Sequence, residues 1–206
     1  FRRVLFRSYI TVAGTGEAGY SGDGGPAINA RFYYPADTAV GGDGNLYIAD
    51  QYNHRIRMID ARGIITTIAG NGEAAFSGDG EAGTVAKLNY PLGVAAGADG
   101  SIYIADRNNN RIRKVDSAGM INTVAGTGEI RLVNDGILAT RTVLAMPTNG
   151  CLGPDGILYI ADQGSNRIRM VNAGNIITTI AGSGEDYFKG DGGLAVGAAF
   201  RSPADV

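Results

Sequence analysis

Few residues in this chain are equipped for acid–base or metal chemistry. There is one histidine, His54, and one cysteine, Cys151. A single imidazole falls short of the ligand set that zinc requires. A lone cysteine closes no intrachain disulfide and builds no thiolate cage, and Cys151 reads as a small apolar side chain. Carboxylates remain. Asp50, Asp106 and Asp162 each end a Tyr-Ile-Ala-Asp run, and each stands five residues before an arginine: Arg55, Arg111 and Arg167. That spacing predicts ion pairs across a loop or to a neighbouring unit. Asn53, Asn109 and Asn166 sit between them and suit the satisfaction of turn backbone. A second set, Asp23, Asp79, Asp135 and Asp191, follows Glu17, Glu73, Glu129 and Glu185 by six residues. Two carboxylates per loop are short of the six to eight oxygens calcium takes, so a glycine-permitted turn is the first reading and calcium the lesser one. No Gly-x-Ser-x-Gly elbow and no phosphate loop with lysine occurs. Gly14-x-Gly16 has no helix after it, which removes a dinucleotide reading.

These candidates recur at a fixed interval, so the elements that position them recur too. Tyr47, Tyr103 and Tyr159 are 56 residues apart. Ala-Gly-x-Gly-Glu starts at Ala13, Ala69, Ala125 and Ala181, and a proline returns at Pro35, Pro91, Pro147 and Pro203. A period of this size without insertion or deletion is the mark of a repeat architecture. Recurrence also argues that the repeated aspartates and arginines are structural, since a unique site rarely needs three copies.

Within each unit the periodicity is that of short strands. Ala36–Val40, Leu46–Ala49, Arg55–Ile59 and Ile64–Ala69 are strand-length runs in the first unit, rich in β-branched or aromatic residues. Gly42-Asp43-Gly44-Asn45 and Ala61-Arg62-Gly63 separate them with the residues that tight hairpins demand. A longer insert follows the fourth strand. Its small residues, such as Ala27 and Ala30, predict one helical turn, with Phe32, Leu88, Leu144 or Phe200 docking against a neighbouring unit. Four-stranded antiparallel units at fixed period, without long helices, predict an all-β fold of propeller blades. Blades are expected at about 35–70, 91–126 and 147–182, with a lone strand at each end. Phe1–Ser8 does not fit the register and reads as a leader or scar outside the repeat; residues 9–206 form the propeller fragment.

Composition narrows the partners. With 206 residues, 18 Lys and Arg against 20 Asp and Glu leave a net charge of −2, so no basic surface for nucleic acid is expected. No apolar run reaches membrane-spanning length, and membrane insertion is not expected.

The stretch Tyr-Ile-Ala-Asp-x-x-Asn-x-Arg-Ile-Arg, with Asp50, Asn53, His54, Arg55 and Ile56, resembles the NHL repeat family. The insert Gly22–Ala27 resembles that of long-repeat bacterial NHL proteins and of the related teneurin propeller. The resemblance implies a six-bladed ring, of which about three blades lie here, so further blades of the same or another chain would close it. It implies a bacterial protein of extracellular, periplasmic or cell-surface location that recognises a protein or glycan. It also admits an enzyme, a lyase or lactone hydrolase with a metal at the channel mouth. Two residues after each proline the family carries glycine. Gly93 conforms, whereas Asp37, Asn149 and Asp205 do not, which makes these three the candidate ligand-binding positions. Tyr20, Phe76, Tyr187 and Phe188 either flank that mouth or fold back as loop packing. Neither a catalytic set nor a resident cofactor is expected.

Overall fold

The computed structural model describes residues 10–129 and 134–206; the reading of residues 1–8 as a leader lies outside them. Three antiparallel sheets form from fourteen strands among the described residues. The first sheet is β1 (Pro35–Val40), β2 (Leu46–Asp50), β3 (Arg55–Ile59) and β4 (Ile65–Ala69), paired in chain order. The second contains β5 (Glu81–Ala82), β6 (Pro91–Ala96), β7 (Ile102–Asp106), β8 (Arg111–Val115) and β9 (Met120–Ala125), in the order β5-β9-β8-β7-β6. The third repeats this with β10 (Ile137–Leu138), β11 (Pro147–Leu152), β12 (Leu158–Asp162), β13 (Arg167–Val171) and β14 (Ile176–Ala181), ordered β10-β14-β13-β12-β11. Each sheet is a blade with its first long strand innermost, and the fold is a partial β-propeller. Residues 10–13 and 203–206 join no ladder.

The hairpins form where the turn chemistry requires them. Gly44, Gly100 and Gly156 hold φ near +78°, +79° and +77°, a region closed to most side chains. Asp43 Oδ1 accepts the Asn45 N–H at 3.0 Å and closes the first of these turns.

The insert between blades is a strap that touches both. From β4 the chain crosses to the outer edge of the second blade, where Glu81 and Ala82 pair with Ile121 and Met120 of β9. The following 3-10 turn, Gly83–Val85, packs back on the first blade. There Gly70 N–H donates to the Gly83 carbonyl and Asn71 N–H to the Ala86 carbonyl, both at 2.9 Å. A Cβ on Gly70 would strike the His54 carbonyl, so this approach is open only to glycine.

Burial follows from this stacking. One core cluster joins Ala49, Ile56 and Ala69 of the first blade to Leu88, Val94, Ile104 and Ile121 of the second. A second joins Ala105, Ile112 and Ala125 to Leu144, Ile160 and Ile177. The apolar matter therefore lies between blades, as in other repeat proteins whose units cannot bury a face alone. Leu88 is fully buried against both neighbours. Leu88→Ala should cost about 2–5 kcal/mol in denaturant unfolding. Leu138→Ala, at a position 42% exposed, should cost roughly 0.5 kcal/mol or less.

Candidate ligand-binding face

Each blade is built around an arginine with no solvent exposure: Arg57, Arg113 or Arg169. Arg57 donates from Nη2 to Asp23 Oδ1 at 2.6 Å and to the Ser21 carbonyl at 3.0 Å. Its Nη1 reaches Asp50 Oδ2 at 3.3 Å. Arg113 repeats the set with Asp79 at 2.9 Å and Asp106 at 3.4 Å, and Arg169 with Asp135 at 2.8 Å and Asp162 at 3.5 Å. One carboxylate comes from the blade's own second long strand and the other from the strap before it. The strap aspartates Asp23, Asp79 and Asp135 are thus arginine acceptors in three copies.

This corrects the expected pairing. Asp50, Asp106 and Asp162 stand opposite Arg55, Arg111 and Arg167 in the ladders, yet they bond the arginine two residues further on. Arg55, Arg111 and Arg167 turn outward instead, and their Nη2 atoms donate to the carbonyls of Asn71, Thr127 and Ser183 at 2.8, 2.6 and 2.8 Å. Asn53 and Asn109 bond Asp50 and Asp106 at 2.8 Å, while Ser165 takes that place on Asp162 at 2.6 Å. Asn166 is therefore not the third cap. It is the register equivalent of His54.

His54, Asn110 and Asn166 form a different series, a latch between blades. Each sits in the left-handed region and accepts the backbone N–H of the residue before the next blade's proline. His54 Nδ1 takes Tyr90 N–H at 3.2 Å, Asn110 Oδ1 takes Met146 N–H at 2.8 Å, and Asn166 Oδ1 takes Ser202 N–H at 2.9 Å. Tyr90, Met146 and Ser202 themselves have φ of +52°, +47° and +51°, a strained setting for non-glycine residues that the latch holds. Burial, then the Arg55 charge, lowers the His54 pKa below its ordinary 6.5 and keeps Nδ1 free to accept.

Burial dominates the carboxylates of the clamp as well. It raises Asp50, Asp106 and Asp162 against the opposing hydrogen bonds and arginine charge, and brings Asp106 to about 6. Asp23, nearer the surface, is also raised by burial, but bonds from Thr67, Tyr20 and Arg57 outweigh that and leave it lowered.

Asp37, Asn149 and Asp205 meet where the innermost strands converge, with Gly93, around a cleft of about 240 Å³. Asp37 Oδ1 accepts Thr38 N–H at 2.8 Å and Oδ2 accepts Val94 N–H of the next blade at 2.9 Å. Asn149 Oδ1 accepts Gly150 N–H at 2.7 Å, and Nδ2 donates to Asp205 Oδ1. A Cβ on Gly93 would come within 2.5 Å of Asn149 Oδ1, so glycine there lets the next blade's side chain through. The Asn149 amide N–H thus faces Asp205, and each Asp37 oxygen accepts one backbone N–H. Among the described residues no group of three or more His, Cys, Asp or Glu gathers in metal-binding geometry.

Tyr20 and Phe76 are not at this mouth. The Arg55 guanidinium lies 3.9 Å from the Tyr20 ring centre and that of Arg111 lies 3.6 Å from Phe76, so each ring lies by cation–π contact on the blade that follows its strap. Tyr187 bonds Glu185 at 2.7 Å. The register equivalent of Tyr20 and Phe76 is Phe188, which is 77% exposed. Sequence reading passed over a separate aromatic group formed by Tyr33, Tyr34, Tyr52 and Tyr90. Only its departure from the repeat would have revealed it: Asn89 and Asn108 replace Tyr33 and Tyr52 in the second unit, and Ala145 and Gly164 in the third.

Strapped four-stranded blades stacked about converging inner strands define a β-propeller of NHL type. The description Teneurin NHL domain matches residues 11–77 and 71–134, more than half of the chain, and the chain belongs to that family. Teneurin-m of Drosophila melanogaster is 30% identical across 92% of this chain, while the chain spans only 8% of that protein. A Bacteroides thetaiotaomicron structure described as of unknown function is 22% identical with a TM-score of 0.64, covering 82% of this chain and 40% of that one. A gluconolactonase from Xanthomonas campestris is 12% identical with a TM-score of 0.52, over 71% of this chain and 46% of that one. These two structural likenesses speak for the fold alone. Among the described residues, no helix is long and apolar enough to cross a membrane.

Two predictions test the clamp and the latch. Asp106→Ala should cost about 3–5 kcal/mol in denaturant unfolding, because it strands a buried guanidinium together with Asn109 and the Asn89 N–H. For His54, the folded pKa lies below the unfolded one. Its stabilising share is complete above 6.5 and is lost as pH falls from there toward the folded value. His54→Asn keeps an acceptor, as in the next two units, so the difference between wild-type and variant stability should be flat above that pH and should shift in the variant's favour below it.

Proposed function

We propose that this chain is a non-catalytic recognition module of a longer protein, secreted or on a cell surface, which takes a protein or glycan ligand on the face that holds the channel mouth. The observation that carries this reading is the set Asp37, Asn149 and Asp205. The blade plan does not need these side chains, since Gly93 fills the same place with none. They are departures from the repeat on the innermost face, whereas the repeated polar groups are committed to holding the blades. The location would be extracellular, periplasmic or at a cell surface. Further blades of the same chain or another would complete the ring. Phe188 and Leu194, 77% and 81% exposed on the last strap, occupy positions that face a following blade in the earlier units.

Metal analysis after dialysis, with calcium and zinc offered beforehand, tests this against a propeller lyase or lactone hydrolase. The expected outcome is no ion retained at one per chain and no rise in melting temperature with calcium. One tightly held equivalent, lost in Asp37→Ala or Asn149→Ala, would put the metal enzyme in its place.

A further inference from the structure

We propose that Tyr33, Tyr34, Tyr52 and Tyr90 form a platform for a neutral glycan. This rests on the recognition reading and names the ligand class. The rings make a continuous series. Tyr33 and Tyr34 each lie 5.0 Å from Tyr52, and Tyr52 lies 5.0 Å from Tyr90, which is capped edge-on by His54 at 4.7 Å. Tyr34 is 68% exposed, Tyr33 42% and Tyr52 40%.

Three observations favour sugar. First, the series is not repeated: Tyr90 is the second unit's counterpart of Tyr34, but Asn89 and Asn108 replace Tyr33 and Tyr52 there, and Ala145, Met146 and Gly164 stand in the third unit, so the full group is not required to fold a blade. Second, the backbone beneath it is fixed: Tyr33 N–H donates to buried Asp50 at 2.8 Å, Tyr52 N–H to the Tyr33 carbonyl at 3.0 Å, and Tyr90 N–H to His54. Rings held this way lose little freedom when a ligand arrives. Third, Tyr20, Tyr47 and Tyr187 spend their hydroxyls on Asp23, Asp43 and Glu185, whereas the four platform hydroxyls make no hydrogen bond with the described residues. Electron-rich ring faces attract the polarised C–H face of a pyranose, and free phenols bond its hydroxyl rim. Asp50 is turned inward to Arg57, and Glu17, which lines the pocket beside Tyr33 and Tyr34, is paired with Arg31, so the carboxylates near the rings already have cationic partners.

The chain has no tryptophan, so its emission comes from ten tyrosines, four of them in the platform, and the part lost in Tyr52→Ala marks the platform's share. The full chain is titrated with hexasaccharides of glucose, mannose and N-acetylglucosamine, by emission and by calorimetry. We expect saturable binding of at least one of them. Tyr52→Ala should weaken it about tenfold or more, and Tyr52→Phe, which keeps the ring, by less. Tyr187→Ala should leave it unchanged. Melting curves confirm that each variant is folded. No binding by the wild-type chain, or binding indifferent to Tyr34→Ala and Tyr52→Ala, overturns the proposal. Capture of a protein that needs Tyr52, with no saccharide bound, also overturns it. Binding lost in Asp37→Ala and Asn149→Ala but kept in Tyr52→Ala removes the platform and leaves the channel-mouth reading standing.

Discussion

A guanidinium sealed from water needs its charge and its N–H groups answered within the protein, because an unanswered one is among the costliest things a fold can bury. Arg57, Arg113 and Arg169 meet that demand with two carboxylates each, and the two come from different places. The blade supplies one from its own strand. The strap arriving from the preceding unit supplies the other. A blade is therefore incomplete until the strap is seated, and the same strap leans on the blade before it. This is how a stack of marginal sheets becomes one cooperative body rather than a string of hairpins.

That arrangement divides the polar residues into two kinds. Those that recur are occupied: the clamp aspartates by arginine, the outward arginines by loop carbonyls and aromatic faces, the latch residues by the backbone of the next blade. His54 belongs with the occupied residues, since Asn110 and Asn166 do its work elsewhere. The residues that break the register stand outside that repeated set, although Asp37 also accepts the Val94 N–H of the next blade. They gather on the face where the straps re-enter the inner strands, as Asp37, Asn149 and Asp205 at the mouth and as the tyrosines at the junction of the first two blades. A repeat protein can vary these positions without loosening its stack, which makes that face the place for specificity.

Much of this was legible in the chain itself. The interval between Tyr47, Tyr103 and Tyr159, the turn residues at Gly44, Gly100 and Gly156, and the apolar runs of each strand fixed the blades, because hairpins and ladders depend on residues a few positions apart. The special character of Asp37, Asn149 and Asp205 was also visible, as an exception to Gly93. The partners of the buried charges were not. Asp50 and Arg55 are ladder partners, and nearness suggested the bond. Asp23 lies 34 residues from Arg57, and only the path of the strap brings them together. The repetition of that interval at Asp79 with Arg113 and at Asp135 with Arg169 was the one available signal.

By itself, then, the sequence determined the unit, its period, its strands and its turns, since these follow from local backbone preferences and the alternation of side chains. Tertiary structure alone decided which carboxylate answers which arginine, that Tyr20 and Phe76 serve as covers for guanidinium groups, that Asn166 is a latch, and that four tyrosines from two straps and a hairpin share one surface. Those outcomes depend on how neighbouring blades are set against one another. That setting follows from close packing of segments far apart in the chain, which no local pattern records.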